Sequence, residues 1–249
     1  MINRKILILT FTLLLISIAI YYFIYINNSL ENKLFNIHNK LNFNGNIKTE
    51  LPEQLMTLKH LKSNDIVLEL GGSIGRNSCI INYCLENKKN HVVIEPGNKE
   101  LHILKHNRNI NNLQFNIENS AISKFPLYSI GWKTYKEHVI GSTSVNITTY
   151  DDIKKKYNLN FNTLIIDCEG AFVNMLKEFP NILSNIRLVI IEHDFNSQDD
   201  LSFFYKTMAN NNFTIHDKYL KNDKYGPGNN WRDGVKTDPI FISVWNKIL

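Results

Sequence analysis

The run Glu69-Leu70-Gly71-Gly72-Ser73-Ile74-Gly75 sets three glycines and a serine between a short apolar stretch and an amphipathic one. Glycines in a strand-to-helix turn let a ligand approach bare backbone amides, and in open α/β sheets ligands sit at the carboxyl ends of strands. Twenty residues beyond Gly75, a second apolar stretch ends in Glu95. A carboxylate there accepts hydrogen bonds from both hydroxyls of a ribose. Together the two features predict a nucleoside-type ligand. The turn departs from the dinucleotide fingerprint, which requires glycine where Ser73 and Arg76 stand, and no G-x-x-x-x-G-K-[ST] run indicates a nucleoside triphosphate.

Acid–base candidates follow later in the chain. Asp167 and Glu169 end another apolar stretch, and His193 stands just past the next. The same residues have structural readings: Asp167 and Glu169 as caps of a helix beginning near Ala171, His193 as a strand terminus. No fixed ligand spacing predicts a metal site. The three cysteines, Cys79, Cys84 and Cys168, read as free thiols that fill space in the core.

These residues need a frame, and 249 residues with 43% hydrophobic content suit one α/β domain plus an appendage. β-Branched runs at 66–70, 91–95, 113–117, 162–167, 187–192, 212–216 and 239–246 predict seven strands. Helices are expected near 75–87, 98–109, 150–157, 171–179 and 198–211. This alternation is the signature of a mostly parallel, Rossmann-like sheet. The last two strands, joined through Gly226-Pro227-Gly228, are expected to form an antiparallel edge hairpin, while 123–149 reads as irregular or hairpin-like.

From Ile6 to Ile26 run 21 residues without a charge, enough at about 1.5 Å per residue to cross a ~30 Å hydrocarbon layer. The sequence therefore divides into a tail (1–5), a transmembrane anchor (6–26), a stalk with entry helices (27–62) and the catalytic domain (63–249). Arg4 and Lys5 before the span favour a cytosolic amino terminus and a lumenal or external domain. Asn27, Asn146 and Asn212 begin glycosylation triplets consistent with that side. A net charge of +5 is too mild to predict a nucleic-acid partner.

From 64 to 194 the chain resembles the FkbM-type methyltransferases, through Val67-Leu68-Glu69-Leu70-Gly71-Gly72-Ser73-Ile74-Gly75, Val93-Ile94-Glu95-Pro96, Asn119-Ser120-Ala121-Ile122-Ser123, Thr149-Tyr150-Asp151-Asp152-Ile153, Leu164-Ile165-Ile166-Asp167-Cys168-Glu169-Gly170-Ala171 and Val189-Ile190-Ile191-Glu192. The resemblance implies S-adenosylmethionine as cofactor, with Gly71, Gly72, Ser73 and Gly75 along its methionine portion and Glu69 near the ammonium group. It further implies Glu95 on the ribose and Asn119, Ser120 and Ala121 beside the adenine. Glu69 stands where the family often has Asp, and Gly72-Ser73 where Ala-Asn is common. The implied activity is methyl transfer to a hydroxyl of a sugar, a glycan or a small metabolite; by their positions at strand ends, Asp167, Glu169 and His193 are the candidates for its base. A binding or structural protein that kept the fold without turnover is the alternative.

Overall fold

The computed structural model describes residues 13–17, 29–228 and 234–248. Among them no helix is long and apolar enough to cross a membrane. Most of the expected 6–26 anchor lies outside the described residues; its 13–17 portion is helical.

Two compact units divide the chain, Met1–Leu41 and Asn42–Leu249. The first contains helix α1 (Leu30–His38), whose N-cap Ser29 accepts a hydrogen bond from the Asn32 amide at 3.2 Å.

The second unit opens with α2 (Leu51–His60), β1 (Val67–Leu70), α3 (Arg76–Cys84), β2 (His91–Ile94), α4 (Asn98–Ile110) and β3 (Asn116–Glu118). Five short strands follow: β4 (Ala121–Ile122), β5 (Leu127–Ile130), β6 (Lys133–Tyr135), β7 (Thr143–Val145) and β8 (Ile147–Thr148). The chain then runs through α5 (Tyr150–Tyr157), β9 (Thr163–Ile166), α6 (Phe172–Glu178), β10 (Leu188–Glu192), α7 (Gln198–Asn210), β11 (Phe213–Leu220) and β12 (Ile240–Lys247). Thr149 and Ser197 start α5 and α7 by accepting the amides of Asp152 and Asp200, satisfying donors that a helix leaves open at its first turn.

Seven strands form the central sheet in the order β11-β12-β10-β9-β1-β2-β3. β1 lies parallel to β2 and β9, β10 parallel to β9, and β12 antiparallel to both β10 and β11. The expected C-terminal hairpin is thus present, with β12 as its inner strand. The alternation of side chains explains why these strands read as continuous apolar runs. Leu68, Leu70, Leu164, Ile166, Val189 and Ile191 pack on the face of α6 and α7, with Phe172 and Phe204. Val67, Ile165, Leu188 and Ile190 pack on the other, with Met56 of α2 and Ile81 of α3. Helix α2, expected as part of an entry segment, is therefore a layer of the core.

The 123–149 region is more ordered than its sequence suggests. β4 and β8 pair in parallel, and β5, β6 and β7 form a separate antiparallel sheet in the order β6-β5-β7. All three cysteines are free, Cys79 buried and the other two half-buried. Burial pushes the Cys79 thiol up to about 12 and the Cys84 thiol to about 11.

Candidate functional site

The carboxyl ends of β1, β2 and β9 open into a cavity of ≈ 420 Å³, within the range usual for a small-molecule site. Gly71, Ser73, Glu95, Ala121, Asp167 and Glu169 all line it.

The glycine turn is shaped by close approach. Gly71 has φ +89°, and a Cβ there would lie 1.6 Å from the carbonyl oxygen of Asp167, so no other residue fits between β1 and β9. A Cβ at Gly72 would lie 2.3 Å from a methyl of Val93, and Gly75, with φ +91°, is the N-cap of α3. Gly72 and Gly75 thus form the turn without lining the cavity. Ser73 holds φ +44°, a strained value for a non-glycine residue.

That conformation aims the Ser73 amide at Glu95, donating to Oε2 at 2.6 Å while the Gly97 amide donates to Oε1 at 2.6 Å. Burial nonetheless pushes the Glu95 carboxyl up to about 7, against the lowering effect of the two amides. Asn119 secures the same loop, its Nδ2 donating to the carbonyls of Glu95 and Pro96 at 3.0 and 3.3 Å. The Ser120 hydroxyl is buried without a hydrogen-bond partner, one residue from the cavity wall at Ala121.

Two further carboxylates, Glu50 and Asp167, line the same cavity as Glu95. Oxygens of Glu50, Glu53 and Asp167 all lie within 4.8 Å of one another, close enough to hold a cationic group or a metal ion jointly. Asn77 fixes Glu53 through Nδ2 at 2.9 Å, and Arg76 donates to Glu50 at 2.9 Å. Burial first, and mutual repulsion second, raises Glu53, Asp167 and Glu192 well above the usual carboxylate range. Glu169, in a left-handed conformation with φ +55°, adds its charge beside Asp167. Asp194, pushed up to about 7 by burial, retains a buried Oδ2 without a partner. None of these acids caps α6, whose N-cap Ala171 has no side-chain hydrogen bond.

Two expected residues stand elsewhere. Glu69 shares a strand face with Val67, away from the cavity lining, and its Oε2 meets Nε2 of the buried His91 at 2.9 Å. The register explains this: Val67 pairs with His91, so Glu69 reaches it diagonally. His193 is fully buried, with Nδ1 2.5 Å from Asp238 and Nε2 2.6 Å from Ser243. With both ring nitrogens engaged and no surface on the cavity, His193 is a core histidine; the expectation that it acts as base is corrected.

The remaining wall comes from elements whose role the sequence concealed. Leu127, Ser129, Trp132, Thr134 and Lys136 face the cavity from the small β5–β7 sheet. Lys136 pairs with Glu178 at 2.8 Å. Ser123 and the Lys124 amide donate to the other Glu178 oxygen. Burial opposes ionisation of Glu178, but these hydrogen bonds outweigh it and hold the carboxyl below its usual range. Glu50 and Glu53 went unanticipated too; their only trace is a Glu-x-x-Glu spacing at the start of α2.

No protein-family model and no curated protein matches the chain. Solved structures do. A putative O-methyltransferase from Klebsiella pneumoniae has a TM-score of 0.50 at 12% identity, over 92% of this chain and 96% of that one. A putative tRNA methyltransferase from Streptococcus pneumoniae, solved in complex with S-adenosyl-L-methionine, scores 0.50 at 10% identity over 81% and 75%. An rRNA methylase from Streptococcus thermophilus scores 0.50 at 10% identity, over 82% and 100%. The chain has the Rossmann-like methyltransferase fold.

Proposed function

We propose that the protein is an S-adenosylmethionine-dependent methyltransferase of the FkbM type, tethered to a membrane through residues 6–26 and acting on a hydroxyl of a sugar, a glycan or a small metabolite. One observation carries the reading: Glu95, held by the Ser73 and Gly97 amides, lines the same cavity as Glu50 and Asp167, whose cluster with Glu53 has Arg76 as its one cationic partner among the described residues.

The donor set fits that cofactor. Glu95 is positioned to exchange its amide partners for ribose hydroxyls. Ile94, Pro96, Ile122 and Leu127 offer apolar wall to an adenine, and the orphaned Ser120 hydroxyl lies beside it. Glu50, Glu53 and Asp167 suit positive charge, and Arg76 at the same end suits a carboxylate. A dinucleotide fits less well, because its pyrophosphate would bring negative charge to the glycine turn beside these acids.

Bound there, S-adenosylmethionine would supply a sulfonium methyl carbon open to in-line attack by an acceptor oxygen, the neutral thioether being the leaving group. The chain's task is to align the acceptor and remove its proton. Asp167 and Glu169 line the cavity and take that role.

The test is equilibrium binding of S-adenosylmethionine, S-adenosylhomocysteine and NAD to the full chain and to Glu95→Ala. The expected result is micromolar binding of the sulfur compounds, weakened at least roughly tenfold by Glu95→Ala, or about 1.4 kcal/mol. A folded protein that binds neither sulfur compound overturns the reading.

A further inference from the structure

The small sheet of β5, β6 and β7 has two faces with different fates. Leu127, Ser129 and Thr134 line the cavity. The alternate positions Tyr128, Ile130 and Tyr135 face the other way, with Tyr128 and Tyr135 paired across the strands. Ile130, Tyr135 and Val139 are exposed, as are Phe125 and Ile147 at the margins. At the turns Trp132 is 68% exposed and Ile140 is 97% exposed. This many exposed large apolar side chains within one short segment marks a contact surface.

Charge indicates what the surface meets. Lys124 and Lys133 accompany the apolar residues, Lys136 being engaged by Glu178 at the cavity, and Glu137 is the only acidic residue between Ala121 and Thr149. Aromatic and aliphatic side chains interspersed with lysine are the composition of segments that settle into a lipid interface with anionic headgroups. The 21 uncharged residues from Ile6 to Ile26 give the same chain a reason to be beside a bilayer. Trp132 joins the two roles, since it is exposed on the patch and also lines the cavity.

We propose that the 124–147 segment is the surface this domain lays on an anionic lipid interface, and that the acceptor hydroxyl belongs to an amphiphile held in that interface. Because the patch is continuous with the cavity wall at Trp132, such a hydroxyl reaches Asp167 and Glu169 without its apolar portion crossing water. This assignment of the acceptor rests on the methyltransferase reading; the lipid contact does not.

The experiment uses the full chain reconstituted in phosphatidylcholine–phosphatidylglycerol vesicles with and without bromine on the acyl chains. Trp132 emission is taken as the difference between wild type and Trp132→Phe, and S-adenosylmethionine binding is measured on the same preparations. Loss of most Trp132 emission on brominated lipid, reversed by Val139→Glu with Ile140→Glu, is the expected result. Trp132 emission that brominated lipid leaves unchanged, and that iodide quenches equally with and without vesicles, overturns the proposal while retained cofactor binding leaves the methyltransferase reading standing. Quenching by lipid without cofactor binding upholds the lipid contact and overturns the acceptor assignment.

Discussion

Just past the end of β10, His193 lies between Asp238 and Ser243, and the Trp245 indole donates to the same Ser243 hydroxyl at 2.7 Å. Nearby, Glu50, Glu53 and Asp167 cluster with Glu192 within electrostatic reach, and burial with mutual repulsion raises all four. Both groups are titratable and largely withdrawn from water. Burial opposes ionisation of Asp238, yet His193, the Ile240 amide and Lys221 outweigh it and hold the carboxyl low. The difference teaches how to tell fold from function here. A polar network whose members satisfy one another specifies the core, whereas several acids gathered beside a cavity with one cationic partner, Arg76, among the described residues suit a further positive charge from outside the chain.

His193→Ala breaks this contrast most severely on the side of the fold. Removing the imidazole leaves the buried Asp238 carboxylate without its hydrogen-bond partner, so the variant is expected to lose about 3–5 kcal/mol of stability. In thermal melts that is a fall of roughly 10 °C for a domain of this size. Cofactor affinity of the folded fraction should stay unchanged; a selective loss of affinity would return His193 to the site.

Glu53→Gln sharpens the other side. The amide keeps an oxygen for Asn77 and removes a buried charge from a repulsive set, so stability is expected to hold or to rise by about 1 kcal/mol. S-Adenosylmethionine affinity should fall several-fold in the same protein. Denaturant melts beside binding isotherms measure the two together, and a large loss of stability would mean that Glu53 is structural.

A smaller effect appears with pH. Glu95 and Asp194 are raised to about 7 in the folded state, so they take up protons there before their unfolded counterparts do. Stability is therefore expected to rise as pH falls through about 7 toward the ordinary carboxylate range. Asp238 and Glu178 are held low, and their contribution is lost only in more acidic solution. Cofactor affinity should run the opposite way and weaken as pH falls through the same window. Melting temperature and affinity measured across that range would separate the two trends.

The sheet was legible because both its faces are covered, which makes each strand a run of β-branched residues with a turn beyond it. Gly71 and Glu95 were legible for a related reason: local geometry fixes which residue types can stand there. His193 was misread because its partners, Asp238 and Ser243, lie 45 and 50 residues away in sequence, beyond any local pattern. Glu50 and Glu53 were missed because they belong to a helix that precedes the recognisable motifs and reaches the site only by packing across the sheet. The β5–β7 wall was missed because two- to four-residue strands leave too little alternation to read.

The most direct test of the central claim, that the carboxylates at this cavity await a cationic nucleoside cofactor, is the proton exchange that accompanies binding. S-Adenosylmethionine is titrated calorimetrically near pH 7 in buffers of different ionisation enthalpy. An arriving positive charge lowers raised carboxyl pKa values, so the account predicts net proton release that diminishes in Asp167→Asn. Binding without proton exchange, or no binding by a folded protein, would contradict it.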